Sequence, residues 1–364
     1  MILGNIILIA VPAVLACIGA FCAAREQKAL FSLLFGAAVF LAAGLWRVTD
    51  MSGAGAEMEA LELRGMLTDA VEVGAVFGIK APPAYLLILK ICMETGIGTH
   101  GFLIVQAVLQ SLLAAAYINN GPDKPYAGAV VFAACFLPCS FVSANSFTAM
   151  LIGLFSAKYI GERRFFRAAA VFLAAACFDI SAVLLIPLWL ITLIPNNWAA
   201  LLVSAVIAVP AALFPGAAGA VYGFLGKGLY TPFRNTVVLA VFAGIAALIL
   251  IIMTAMLRHS SERNARLVPA AVCGAALSAA AVFVPELFAV SQAMLALSLT
   301  ALAPDVNAIL GRFAEIMLPG AGKKASVAVG AVLALGVTGV CAYIVFAGGF
   351  GTERFSAVLF GAGN

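Results

Sequence analysis

The run FSLLFGAAVFLAAGL, residues 31–45, contains no charged side chain and does not alternate between polar and apolar residues. A helix that crosses a membrane needs about 20 mostly apolar residues, whereas a lipid-facing β-strand alternates in character. The run and its flanks therefore predict a transmembrane helix. Comparable runs recur at 6–22, 84–97, 102–118, 198–214, 236–257, 267–284 and 325–346.

The composition argues against an ordinary water-soluble fold. Hydrophobic residues make up 65% of the 364 residues and charged residues 10%. A soluble chain is usually about half apolar and about a quarter charged. We therefore predict an all-α fold, a polytopic transmembrane helical bundle of about 10–12 helices, at about 20 residues per span plus loops. The bundle would form a single integral-membrane domain over residues 1–364.

The charged residues predict how the chain is oriented. The net charge is +4, and the basic residues form short clusters between apolar runs, which is typical of cytoplasmic loops and not of a nucleic-acid surface. Residues 47–80 carry six acidic side chains against three basic ones, which favours an extracytoplasmic loop. Within this loop, residues 57–77 repeat apolar side chains at helical spacing. This pattern predicts an amphipathic helix in the outer interface.

The sequence offers little for metal or cofactor chemistry. The eight cysteines lie almost entirely in apolar runs, and the two histidines, His100 and His259, have no cysteine at the spacing of a zinc or iron–sulfur site. A nucleotide-binding P-loop is also lacking. We predict no metal and no cofactor.

Two apolar segments are interrupted where a membrane would bury them. Residues 126–157 are broken by PCSFVSAN at 138–145, and the long run 168–194 contains Asp179 in its middle. Irregular backbone at membrane depth is tolerated where it lines a cavity, so the breaks favour a cavity. The alternative is a pair of ordinary helices kinked at proline.

Three polar side chains accompany these breaks. An ionisable group inside a membrane is costly and usually functional, so Asp179 would act as a base or bind a sugar hydroxyl. Alternatively, it caps the second half of a broken helix. Asn145 and Thr148 would bind substrate or, alternatively, cap the helix that begins beside them.

Four further candidates lie at the predicted membrane surface. Arg47 and Asp50 follow the second apolar run, where an arginine can clamp a lipid phosphate or simply snorkel to the interface. Arg234 lies in a basic–aromatic loop that could hold a diphosphate or an acidic sugar. Arg312 would bind substrate or pair with Glu315 on the same helical face.

The order and spacing of these features over most of the chain resemble the EpsG family of bacterial exopolysaccharide polymerases, distant relatives of Wzy-type polymerases. The corresponding stretches are WRVTD at 46–50, NSFTAML at 145–151, the basic loop KYIGERRFFR at 158–167, FDISAVLLIP at 178–187 and RF at 312–313. The family typically has Arg-Gln where this chain has Thr148 and Ala149, and His where it has Asp179.

The resemblance implies an integral-membrane glycosyltransferase of the bacterial cytoplasmic membrane, with helices that could adopt a GT-C-like arrangement. Its substrate would be an oligosaccharide linked to polyprenyl diphosphate. Its other partners would be membrane lipids and polysaccharide-assembly proteins. Asp179 or Asp50 would take the proton of the acceptor hydroxyl, and Arg47, Arg234 and Arg312 would lie near the diphosphate.

Two other functions stay open from the sequence. The broken segments also suit a transporter or flippase of a lipid-linked or polar solute, whose site would lie near the membrane midplane. A non-catalytic subunit of a polysaccharide-assembly complex is the other alternative, because Thr148 and Ala149 replace the family's Arg-Gln pair.

Overall fold

The computed structural model describes residues 26–48, 82–120, 144–194, 196–214, 267–284 and 355–357, together with scattered single positions elsewhere. Almost all of these residues are helical, which agrees with the predicted all-α class. The helices are α1 (Lys28–Leu45), α2 (Pro83–Glu94), α3 (Gly98–Asn120), α4 (Ala144–Leu154), α5 (Ser156–Gly161), α6 (Phe165–Ala176), α7 (Leu185–Trp189), α8 (Asn197–Leu213) and α9 (Val268–Ala280). Short 3₁₀ segments, Ile180–Leu184 and Leu190–Leu193, flank α7.

The predicted apolar runs at 31–45, 84–97, 102–118, 198–214 and 267–284 each overlap one of these helices over most of their length. Among the residues that the structure describes, no helix has both the length and the apolar character needed to cross a membrane. The predicted amphipathic helix at 57–77 and the runs at 236–257 and 325–346 lie outside the described residues, apart from the single position 244.

A small antiparallel strand pair was not predicted from the sequence. Strand β1 (Trp46–Val48) pairs with strand β2 (Phe355–Ala357), and Arg47 lies opposite Ser356. Each strand has only three residues, and the partners come from distant parts of the chain. No local pattern of apolar residues could therefore reveal the pair.

Helices α1 and α3 approach each other closely at Gly36. The Ser111 hydroxyl donates a hydrogen bond to the Gly36 carbonyl at 2.8 Å, and the Ser32 hydroxyl donates to the Ala115 carbonyl at 2.6 Å. A Cβ atom at position 36 would lie 3.0 Å from both the Ala115 Cβ and the Ser111 carbonyl oxygen. Glycine therefore permits this helix contact.

Helices α2 and α3 form a hairpin. Helix α2 begins at Pro83, and proline is favoured in a first helical turn. The turn between the helices contains Gly96 at φ 72°, a left-handed conformation that glycine adopts without strain. The Tyr85 and Phe102 rings pack edge to face across the hairpin, with centroids 5.2 Å apart.

The buried core joins these elements to the C-terminal helices. Phe172 of α6 packs against Trp189 of α7, with ring centroids 6.0 Å apart. Helices α8 and α9 meet at Ser204, whose hydroxyl donates to the Ala200 carbonyl at 2.8 Å and lies 3.2 Å from the Cys273 sulfur. The apolar core therefore extends from α1 to α9.

Candidate functional site

The run at 168–194 is a broken helix, as the sequence predicts, and the break lies at Asp179. Helix α6 ends at Ala176, and the Phe178 and Asp179 amides both donate to the Ala175 carbonyl, at 2.9 and 3.0 Å. The following 3₁₀ segment opens with the Ala182 amide donating to the Asp179 carbonyl at 2.9 Å. Aspartate favours such a position because its side chain competes with the helical backbone for hydrogen bonds.

The Asp179 side chain is buried at this break, with 1% of its surface exposed. Asp179 directly precedes the 3₁₀ segment Ile180–Leu184, so it occupies the position of a helix cap, one of the two roles considered for it. An ionisable group buried inside a helical membrane protein is usually functional, so the same residue is also a candidate for binding or proton transfer.

Two other elements lie against the break. The Ala84 amide, in the first turn of α2, donates to the Cys177 carbonyl at 2.9 Å. Ala149 of α4 packs with Ala175 and Ala182, which lie on either side of Asp179 in the chain. Helix α4 therefore borders both halves of the broken segment, and the structure brings the predicted substrate residues of α4 into the region of Asp179.

A cluster of neutral polar side chains, most of them fully buried, joins α3 to α4. The Thr148 hydroxyl donates to Gln106 Oε1 at 3.1 Å and accepts a hydrogen bond from Gln110 Nε2 at 3.0 Å. All three side chains are buried. Gln106 and Gln110 are one helical turn apart, so both face α4. We refer to these three side chains, together with Asn145 one turn before Thr148 on α4, as the amide cluster.

Asn145 lies on α4 one turn before Thr148 and Ala149. Its Oδ1 atom is buried and accepts no hydrogen bond among the described residues, and Gln106 Nε2 likewise has no acceptor there. A capping asparagine would accept a backbone N–H with Oδ1. Among the described residues, Asn145 Oδ1 makes no such capping bond. The Thr148 hydroxyl bonds the two glutamines.

The remaining predicted site residues are not tested by the geometry. The Arg47 backbone lies in β1, but its side chain is outside the described part of the structure. Asp50, Arg234 and Arg312 also lie outside the described residues. The structure thus packs α4, the helix that carries Asn145 and Thr148, against the Asp179 region through Ala149. The placement of the other candidates stays a prediction.

Gln106 and Gln110 were not predicted as site residues from the sequence. Ionisable residues stand out within apolar runs, whereas glutamine is neutral. A usable signal was present, because two amide side chains four residues apart within the run 102–118 must share one face of a helix. Their partner Thr148 could not be identified from that spacing.

The amide cluster can form hydrogen bonds with a neutral polar ligand. Its four side chains are uncharged, and a primary amide offers two N–H donors and an oxygen acceptor. Such a set can exchange hydrogen bonds with a hydroxyl or an amide. The carboxyl of Asp179, in the same region, adds a group that can accept a proton.

This arrangement is that of a helical protein whose interior holds a polar site beside a broken helix. The chain matches the EpsG family model over residues 28–321, which is most of its length, and it belongs to the EpsG family. All the candidate site residues, from Arg47 to Arg312, fall within the matched region. No curated protein and no solved structure gave a match.

Proposed function

We propose that this chain is an integral-membrane glycosyltransferase, a polymerase that joins sugar units carried on polyprenyl diphosphate during exopolysaccharide or capsule assembly. Membership of the EpsG family over residues 28–321 supports this class of function. The apolar composition, 65% hydrophobic and 10% charged, supports a multi-pass location in the cytoplasmic membrane. The lipid-linked oligosaccharide would then be bound from the surrounding bilayer.

The observation that carries the proposal is the buried carboxyl of Asp179 at the helix break, 1% exposed. In the proposed reaction, an acceptor hydroxyl oxygen attacks the anomeric carbon of the donor sugar. The bond between that carbon and the diphosphate oxygen breaks, and the polyprenyl diphosphate leaves with the electron pair. Asp179 takes the proton of the acceptor hydroxyl as general base.

The leaving diphosphate gains negative charge, and cationic side chains stabilise such charge in a transition state. Arg47, Arg234 and Arg312 are the proposed cations. Asp50, close to Arg47 in the sequence, is the alternative base. In this proposal the loop 47–80 lies outside the cytoplasm and holds the substrate at the membrane interface.

Substitution of the base and of one cation tests the proposal. We expect Asp179→Asn to lower polymer production about a hundredfold or more, because a positioned base contributes on that order. Arg47→Ala should abolish polymer production, because it removes a proposed diphosphate ligand. Both variants should leave the amount of folded protein unchanged. Glu94→Gln is the matched control, since Glu94 is an exposed carboxylate paired with Lys90 at 3.5 Å. Normal polymer length in both site variants would refute the function.

The orientation of the chain provides a second test. Single cysteines placed in 47–80 and in 158–167, on a cysteine-free background, can be labelled in intact cells with a reagent that does not cross the membrane. We expect labelling in 47–80 and protection in 158–167. Protection of 47–80 would place that loop in the cytoplasm and contradict an extracytoplasmic polymerase.

A transport function is the second candidate, and the helix break at Asp179 favours it. Discontinuous helices form the substrate sites of many transporters, and ionisable residues within membrane helices mark substrate pathways. Liposomes that contain only this protein discriminate between the two functions. Movement of a labelled lipid-linked sugar across the bilayer, without formation of longer products, would favour transport.

A further inference from the structure

A buried donor and a buried acceptor lie in the amide cluster without a hydrogen-bond partner among the described residues. The donor is Nε2 of Gln106, a residue that is 0% exposed, and the acceptor is Oδ1 of Asn145. Buried polar groups are nearly always hydrogen-bonded, because an unpaired group has lost its water without compensation. A hydroxyl or a secondary amide, which has both a donor and an acceptor, is the chemical complement of these two groups.

We propose that the amide cluster is a subsite for an uncharged part of the sugar, a hydroxyl or an acetamido group, and that it does not bind the diphosphate. The choice of a sugar as ligand rests on the glycosyltransferase function proposed above. The four side chains are neutral, whereas a diphosphate is bound best by cations that form charge-assisted hydrogen bonds. Hydroxyls and acetamido groups are bound by mixed donors and acceptors of this kind.

The position of the cluster agrees with such a role. Asn145, Thr148 and Ala149 share one side of α4, at spacings of three and four residues. Ala149 contacts Ala175 and Ala182, on either side of Asp179 in the chain. A sugar held by Asn145 and Gln106 would therefore lie near the proposed base, with its diphosphate left to the arginines elsewhere.

A purely structural role is the competing explanation. Polar side chains often join neighbouring helices within a membrane. The contact of α1 with α3 is of that type, since Ser32 and Ser111 each donate to one backbone carbonyl. The contact of α3 with α4 differs, because after its bond to Thr148 Gln106 retains a donor that no described residue accepts.

Direct binding measurements test the subsite. The purified full chain is kept in a zwitterionic detergent, because the headgroup of a maltoside detergent would compete for the site. The probes are the methyl glycosides of glucose, galactose, mannose and N-acetylglucosamine, and inorganic pyrophosphate. Affinities are measured by isothermal titration calorimetry or by ligand-observed NMR, and folding is followed by thermal unfolding.

We expect at least one glycoside to bind the unsubstituted protein. Gln106→Met should weaken that binding about tenfold, as expected for the loss of one buried hydrogen bond. Asn145→Ala should do the same, and it removes an acceptor that bonds no described residue, so folding should be retained. Pyrophosphate affinity should change less than about twofold in both variants, which is much smaller than the tenfold loss expected for the glycoside. Ser111→Ala is the control and should keep the glycoside affinity.

Three results would overturn the subsite. The first is that no glycoside binds the unsubstituted protein. The second is that Asn145→Ala, while folded, binds glycosides as tightly as the unsubstituted protein. The third is that the site variants weaken pyrophosphate binding as much as glycoside binding. Polymer production by the Asp179→Asn variant tests the proposed function separately, so either proposal can fail alone.

Discussion

Helix α3 packs against α1 on one face and against α4 on another, and the two faces hold different kinds of polar contact. Toward α1, the Ser111 hydroxyl donates to the Gly36 carbonyl at 2.8 Å, and the Ala115 carbonyl accepts from Ser32. Toward α4, Gln106 and Gln110 bond the Thr148 hydroxyl, at 3.1 and 3.0 Å. The two faces are separated by roughly 140° around the helix, at 3.6 residues per turn.

The difference shows which face of α3 still has a hydrogen-bonding group that a ligand could use. A serine hydroxyl has one proton to donate, and a backbone carbonyl accepts it. A glutamine amide has two N–H donors and an oxygen acceptor, and Gln106 uses only its oxygen in the bond to Thr148. The α1 face is therefore a packing contact, whereas on the α4 face Gln106 keeps a donor that no described residue accepts. Substitutions on and around α3 can separate the two.

The largest loss of stability is expected at a third contact of α3, its aromatic contact with α2. Phe102 is fully buried and packs edge to face on Tyr85 at 5.2 Å. Phe102→Ala should lower the free energy of unfolding by about 3–5 kcal/mol, because it leaves a cavity. The measurement is unfolding of the purified protein in detergent. Leu112→Ala is the control, since Leu112 is 62% exposed on the same helix. An equal loss in the control would contradict the packing described.

A smaller loss is expected where α1 and α3 approach each other. Gly36→Leu places a Cβ 3.0 Å from the Ser111 carbonyl oxygen, and backbone cannot move aside cheaply. Overpacking of this kind costs about 1–3 kcal/mol. Ala37→Leu is the matched control, because Ala37 is the next residue and is exposed. Thermal unfolding should show a lower midpoint for Gly36→Leu alone, and equal midpoints would show that α1 and α3 are not in close contact.

The smallest effect is expected from the serine on the packing face. Ser111→Ala removes one hydrogen bond to a carbonyl and should lower the free energy of unfolding by about 1 kcal/mol or less. Polymer production at a temperature well below unfolding should stay unchanged. A loss of polymer without a loss of stability would mean that this face takes part in function, and the distinction between the faces would fail.

Much of the local structure follows from the pattern of apolar residues. The run at 31–45 lies within helix Lys28–Leu45, and the run at 102–118 lies within helix Gly98–Asn120. The break near Asp179 also follows from the sequence, because Asp and Ser interrupt an otherwise apolar run and compete with the helical backbone. The strand pair Trp46–Val48 with Phe355–Ala357 could not be predicted, since each strand is too short to show a pattern.

By itself, the sequence determined the helical class, the positions of the main helices and the break at Asp179. These depend on the period and length of apolar runs, which are local properties. Only the tertiary structure decided that Thr148 meets Gln106, a residue 42 positions away, and that Ala149 borders both sides of the break. Such contacts depend on which faces of two helices pack together, and the spacing within either helix does not contain that information.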